Sequence, residues 1–124
     1  MAISENTALI AIIIFLSFFL LDMRRNPMGK LENKFQSELI KEIKQKFPGS
    51  MVLKNDPNYI QGIPDLLVMH KKKWAALECK KDDGAHHQPN QDYYVDMMNK
   101  MSFCRFVSPE NKEEVLNELE VHFQ

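Results

Sequence analysis

The chain has 124 residues, a formal net charge of −1, 44% hydrophobic residues and 27% charged residues. This length accommodates one compact domain, and the composition excludes a mainly membrane-embedded protein and wholesale disorder. Two cysteines, Cys79 and Cys104, are too few for a disulfide scaffold and lack the spacing of a zinc site. The near-neutral charge indicates no nucleic-acid or membrane partner by itself.

The first predicted feature is an apolar block, Ala8–Leu21, interrupted only by Ser17. As a helix these residues rise roughly 21 Å, which is short of the roughly 30 Å hydrocarbon core of a bilayer. No basic residue precedes the block and no small-residue cleavage site follows it, so a secretory signal fits it poorly.

Two interpretations of the hydrophobic segment 1–27 stay open. As a membrane anchor, it would leave the remainder of the chain on the cytoplasmic side, because Arg24 and Arg25 follow the apolar block. As an over-extended gene start, it would precede a true start at Met28. In both cases the sequence predicts that 28–124 is the working domain.

The domain begins with a predicted amphipathic helix, Leu31–Phe47, in which apolar residues recur every four positions. Pro48-Gly49 ends it. A short strand, Met51–Leu53, follows. Two further apolar runs, Leu66–Met69 and Trp74–Leu77, flank a lysine-rich turn and predict a β-hairpin.

The remaining segments complete an α-β-β-β-α-β-α order. After a polar loop, the pattern predicts a helix over Pro89–Met101, a strand over Phe103–Val107 and a last helix whose N-cap is Ser108. This order predicts the α/β fold class, with a central mixed sheet flanked by helices.

Three charged residues stand at the end of the predicted hairpin. Glu78 and Lys80 are two apart on one strand and therefore point to the same face. If the turn is centred on Lys71-Lys72, opposed residues have numbers that sum to 143, which places Asp65 opposite Glu78 with Cβ atoms about 4.5–5.5 Å apart.

Two opposed carboxylates repel each other, and a divalent cation removes that conflict. Hard oxygen ligands at this separation suit Mg²⁺ or Mn²⁺. A lysine beside the metal can orient or deprotonate an attacking water, so Asp65, Glu78 and Lys80 indicate phosphodiester hydrolysis. The alternative is an ordinary solvated face, which the flanking apolar runs disfavour.

Pro64-Asp65 followed by Glu78-x-Lys80 on the next strand resembles the PD-(D/E)xK nuclease superfamily. Within it, the chain is most similar to small VRR-NUC-type and phage-encoded endonucleases and to Holliday-junction resolvases. The resemblance covers 28–124 and none of 1–27, and it implies a restriction-endonuclease-like αβββαβ core.

The resemblance also implies roles for individual residues. It makes Asp65, Glu78, Lys80 and Gln91 the catalytic residues, with Lys80 as the catalytic lysine and Gln91 as its helper. The implied metal ligands are Glu32, Asp65, Glu78 and the backbone carbonyl of Cys79. The chain departs from the family pattern by having Cys79 where valine is frequent.

Several lysines are candidates for DNA contact: Lys54, Lys71, Lys72, Lys73 and Lys81. The lysines at the hairpin turn are equally explained by solubility. His86-His87 in the polar loop suit phosphate contact better than metal ligation, because adjacent residues rarely bind one ion.

The expected function is therefore that of a Mg²⁺- or Mn²⁺-dependent endodeoxyribonuclease, with branched or junction DNA as one candidate substrate. Its expected partner is DNA, and double-strand or junction cleavage would require a homodimer. The expected compartment is the cytoplasm, or the host cytoplasm for a phage-encoded protein. The alternatives are a non-catalytic nucleic-acid- or protein-binding module of the same fold and a membrane-anchored protein.

Overall fold

The computed structural model describes residues 5–25 and 27–124, and the chain divides into two units between Leu31 and Glu32. In the first unit, α1 spans Glu5–Arg25 and exposes large apolar side chains, including Phe15 at 71%. No helix in the described part of the chain is long and apolar enough to cross a membrane. Residues 1–4 and 26 of the predicted hydrophobic segment lie outside the described residues.

The second unit is built from one mixed sheet and the helices around it. The remaining elements are α2 (Pro27–Lys46), β1 (Met51–Lys54), β2 (Leu66–His70), β3 (Lys73–Cys79), α3 (Gln91–Met101), β4 (Phe103–Val107) and α4 (Lys112–His122). The predicted order and the α/β class with a helix-flanked mixed sheet are confirmed.

The sheet has the order β1-β2-β3-β4, with the first three strands antiparallel and β3 parallel to β4. Leu66 pairs with Leu77 and His70 with Lys73, so the predicted hairpin register is confirmed. Lys71 takes the left-handed conformation (φ 57°) that a two-residue hairpin turn favours. This register carries Asp65 and Glu78 to neighbouring strand ends.

The hydrophobic core lies on one face of the sheet, under α2 and α4. Alternate strand residues point into it, as the two-residue period of a strand requires. The four-residue spacing on α2 and the apolar stripe on α4 supply the other side. Its fully buried members include Leu39, Ile43, Leu66, Val68, Leu77 and Leu119.

The opposite face is covered only in part. α3 contacts β3 and β4 there, and none of its residues is fully buried. Over β1 and β2 the same face stays open, so Met51 and Leu53 are exposed. Buried Glu78 therefore lies beside an open part of this face.

The N-cap prediction for the last helix is wrong. α4 begins at Lys112, and the Ser108 hydroxyl instead donates a hydrogen bond to Asp83 in the loop after β3. The Asn111 side chain holds the resulting turn, because it accepts from the Ser108 N–H (2.8 Å) and donates to the Phe106 carbonyl (3.0 Å). A partner distant in sequence thus removes the hydroxyl that would have capped the helix.

Candidate active site

Two carboxylates meet where β2 begins and β3 ends. The Asp65 N–H donates to Glu78 Oε2 at 3.1 Å, and the Cys79 N–H donates to Asp65 Oδ2 at 2.9 Å. Each acid therefore accepts a backbone hydrogen bond from the other strand, which fixes the two side chains next to each other. Glu78 is only 3% exposed.

This arrangement makes both acids harder to ionise. Burial, followed by the negative charge of Asp65, raises the pKa of Glu78 to about 8. Burial also raises the pKa of Asp65, and the charge of Glu32 adds to the effect. The pair thus holds more negative charge than its surroundings stabilise, which is the electrostatic condition that a bound cation relieves.

Lys80 lies directly beyond β3 and is 5% exposed, so its ammonium needs partners within the protein. Its backbone N–H continues the sheet pairing by donating to the Val107 carbonyl at 2.8 Å. Its Nζ donates to Gln91 Oε1 at 2.6 Å and to the His86 carbonyl at 3.2 Å. The ammonium is therefore held between the first turn of α3 and the loop that precedes it.

Gln91 connects the lysine to the acid pair. Its Oε1 accepts from Lys80, and its Nε2 donates to Glu78 Oε1 at 2.9 Å. Because an ammonium only donates, the Gln91 amide must present its oxygen to Lys80, which leaves its nitrogen to donate to Glu78. Asp65, Glu78, Lys80 and Gln91 consequently form one continuous hydrogen-bonded group.

The segment before Asp65 is fixed against the start of α3. Asn55 donates its side-chain amide to the Pro64 carbonyl at 2.8 Å and its N–H to the Asp65 carbonyl at 2.9 Å. Gly62 has φ +89°, and a Cβ there would lie 2.7 Å from the Asn90 Cβ. Only glycine fits this contact, which joins the Asp65 segment to the residue preceding Gln91.

The other predicted metal ligands are placed less directly. The charge of Glu32 raises the pKa of both Asp65 and Glu78, so Glu32 is within electrostatic reach of the pair. Within residues 5–25 and 27–124, however, no group of three or more His, Cys, Asp or Glu residues is arranged to hold a metal ion. Cys79 donates its N–H to Asp65, and its side chain points into the core.

The donor chemistry at this position nevertheless fits Mg²⁺ or Mn²⁺. Mg²⁺ commonly binds through one or two carboxylates and completes its coordination with waters and substrate phosphate. Asp65 and Glu78 provide those two carboxylates. Burial, and in second place neighbouring negative charge, raises the pKa of each, and a divalent cation would favour the ionised forms that burial disfavours.

The candidate DNA-contacting lysines fall at two ends of the sheet. Lys54 ends β1 beside Asn55, and Lys81 directly follows Lys80, so both are near the acid pair. Lys71, Lys72 and Lys73 lie at the hairpin turn, separated from Asp65 by the five residues of β2, about 17 Å. There, Lys73 Nζ donates to the backbone oxygens of His122 and Gln124, both at 2.9 Å.

Sequence reasoning missed the contribution of the loop between β3 and α3. The His86 carbonyl accepts from Lys80, and the Gln88 N–H donates to Gln91 Oε1 at 2.8 Å. The His87 ring packs within the protein, stacked on Phe106. Every residue has a backbone carbonyl and nearly every residue a backbone N–H, so the sequence does not show which of these groups bind at the site. The polar composition of the loop was the only signal that it could contribute.

Comparison of the chain with models of known protein families finds no match. Neither curated proteins nor solved structures give a match.

Proposed function

We propose that the protein is a Mg²⁺- or Mn²⁺-dependent endodeoxyribonuclease with a PD-(D/E)xK active site. The observation that supports this most directly is the hydrogen-bonded group of buried Glu78, partly buried Asp65, buried Lys80 and Gln91. A binding surface has no need for two opposed carboxylates at a buried strand end, because their apposition is unfavourable. We also propose that the α2-β1-β2-β3-α3-β4 order is the restriction-endonuclease-like core.

In this proposal Asp65 and Glu78 hold the divalent cation, with Glu32 and the Cys79 carbonyl as further ligands. When bound, the cation would polarise the phosphate and lower the pKa of an attacking water. Lys80, held by Gln91, would orient that water and offset the negative charge that develops on the phosphate. Gln91 thereby keeps the lysine in place while it also contacts Glu78.

The proposed substrate is DNA, with branched or junction DNA as the structure-selective candidate. Lys54 and Lys81 are positioned to contact phosphates close to the acids, and Lys71 and Lys72 to contact phosphates farther along a duplex. Cleavage of both strands would use a homodimer, one site for each strand. The proposed compartment is the cytoplasm.

The deciding experiment measures Mg²⁺-dependent cleavage of a panel of duplex, flapped and four-way-junction DNAs by the purified full chain. We expect Asp65→Asn and Lys80→Ala to reduce cleavage by at least about 100-fold, because they remove a metal ligand and the group beside the water. Circular dichroism would verify that both variants remain folded.

Matched controls are Asp96→Asn and Lys100→Ala, which change the same residue types in an exposed ion pair on α3. They should cleave like the wild type. DNA binding without cleavage by the wild type, or equal cleavage by all variants, would contradict the proposal and favour the non-catalytic module.

A further inference from the structure

The imidazole of His87 is held on two sides although it lies in a loop. It stacks on the Phe106 ring with centroids 4.0 Å apart and an interplanar angle of 13°. Its Nδ1 lies 2.7 Å from Asp92 Oδ1 in the first turn of α3. Because an ionised carboxylate only accepts, Nδ1 bears the hydrogen of this bond. His87 therefore ties the loop to both β4 and α3.

The two groups that accept hydrogen bonds from Lys80 lie on either side of the link between His87 and Asp92. The His86 carbonyl, one residue before His87, accepts from Lys80 Nζ. Gln91, next to Asp92, accepts from the same Nζ and from the Gln88 N–H. Displacement of the loop relative to α3 would therefore move the His86 carbonyl away from the lysine and break the hydrogen bond by which the Gln88 N–H orients the Gln91 side chain.

Besides this link, the start of α3 is fixed by the close approach of Gly62 to Asn90 and by the hydrogen bond from the Gln88 N–H to Gln91. None of its residues is fully buried, and Asn90, the residue before it, provides no side-chain cap. Its apolar residues are at most partly buried, whereas α2 and α4 both have fully buried apolar residues on the other face. The polar link at its first turn therefore adds a restraint on the position of Gln91 to the one that packing supplies.

We propose that His87 is a positioning residue for Lys80. Through Asp92 and Phe106 it fixes the loop so that the His86 carbonyl and the Gln91 side chain both remain on the lysine ammonium. The catalytic consequence of this inference rests on the proposed function, in which Lys80 acts beside the attacking water. The structural consequence, restraint of the Lys80 ammonium, is measurable without cleavage.

The test compares Asp92→Ala, which removes the acceptor, with Asp92→Asn, which keeps an acceptor oxygen but removes the charge. Asp96→Ala is the matched control, since Asp96 is an equally exposed aspartate on the same helix whose partner is Lys100. Both Asp92 variants lose a negative charge from the first turn of α3, so the comparison separates the hydrogen bond from the helix dipole. His87→Ala removes the ring itself.

The first measurement is the ¹⁵N-edited NMR signal of the Lys80 ammonium in the full chain, assigned with Lys80→Arg. In the wild type, burial and two hydrogen bonds should slow its hydrogen exchange enough for detection. We expect Asp92→Ala and His87→Ala to accelerate exchange and broaden the signal, and Asp92→Asn and Asp96→Ala to retain it.

The second measurement separates kcat from KM for DNA cleavage. Loss of one hydrogen bond should lower kcat about 3- to 10-fold in Asp92→Ala, with KM within about twofold, and Asp92→Asn should restore most of the loss. An unchanged Lys80 signal in Asp92→Ala, or equal effects of Asp92→Ala and Asp92→Asn, would overturn the inference. A wild type that cleaves no DNA would contradict the proposed function, while the NMR comparison would still decide the role of His87.

Discussion

Each end of the β2–β3 hairpin has a cluster of charged residues, but one cluster is buried and the other is exposed to solvent. At the open end, Glu78 and Lys80 are almost completely buried and all their contacts are with other groups of the protein. At the turn, Lys71 and Lys72 are exposed to water, and Lys73 hydrogen-bonds to the end of α4.

The difference shows why two clusters of charged residues can respond differently to the loss of one member or to the binding of an ion. Water stabilises the exposed lysines individually, so their energies depend little on one another. Buried charges depend on specific partners, so removing one member changes the protonation and position of the others. The open end is therefore the place where a bound ion or a transition state alters the energy of the whole group.

The largest expected contrast is in the pH dependence of stability. The pKa of Glu78 rises from 4.5 to about 8 on folding. The folded state of the metal-free wild type should therefore be most stable relative to the unfolded state below pH 4.5, and this stability should be lost as the pH rises through 8. Relative to Glu78→Gln, which cannot ionise, the stability should fall by up to about 1.4 kcal/mol for each pH unit in this window. Urea unfolding at a series of pH values measures it.

Addition of Mg²⁺ should flatten this dependence more in the wild type than in Glu78→Gln, since a cation favours the ionised acid and the variant has one ionisable ligand fewer. Asp96→Asn serves as the control for loss of an exposed carboxylate. Parallel stability curves for wild type and Glu78→Gln would show that burial of Glu78 is not coupled to its ionisation.

An effect of intermediate size is expected from two glycines near the two ends of the hairpin, both of which have a left-handed backbone conformation. Gly49, near the turn, has φ +87° and no atom within 4 Å of a built Cβ, whereas a Cβ at Gly62 would lie 2.7 Å from that of Asn90. Gly49→Ala should cost about 1 kcal/mol of stability through backbone strain.

Gly62→Ala should cost a further 1–3 kcal/mol or so, because the added methyl must displace backbone at the start of α3. It should also reduce cleavage, since Gln91 follows Asn90 directly. Equal unfolding free energies for the two variants would show that the segment before Asp65 adjusts freely and does not position α3.

The smallest effect is expected at the hairpin turn. Lys72→Ala should change the free energy of unfolding by less than about 0.5 kcal/mol, because the side chain is exposed. If Lys72 contacts a DNA phosphate, the variant should reduce by about 1 the slope of the logarithm of the DNA association constant against the logarithm of the salt concentration, while kcat is unchanged. A large fall in kcat would mean that the turn participates in the chemistry.

The hairpin and its acid pair were predictable from the sequence because local rules determine them. Opposed residues in an antiparallel pair have a constant sum, so the position of the turn was enough to place Asp65 beside Glu78. Glycine and proline at 48–49 likewise marked the end of α2. These features depend on neighbouring residues and on strand periodicity.

The features that sequence reasoning missed depend on contacts between distant segments. Ser108 was predicted to cap a helix, yet Asp83, 25 residues earlier, binds its hydroxyl. The support of Lys80 by the His86 carbonyl uses a backbone group that every residue has. The family assignment and the nuclease activity stay predictions, because they depend on chemistry that the fold accommodates but does not by itself demonstrate.

The two buried cysteines, Cys79 and Cys104, give the sheet a reporter of its own local opening. Burial raises the pKa of the Cys104 thiol to about 12 and also raises that of the Cys79 thiol, so neither reacts as a thiolate in the closed sheet. A thiol-labelling reagent would therefore modify them only when the helices that cover them open transiently, α2 and α4 over Cys79 and α3 beside Cys104. Because the Cys79 N–H also binds Asp65, its labelling rate would report how often the strand end that carries the acid pair opens.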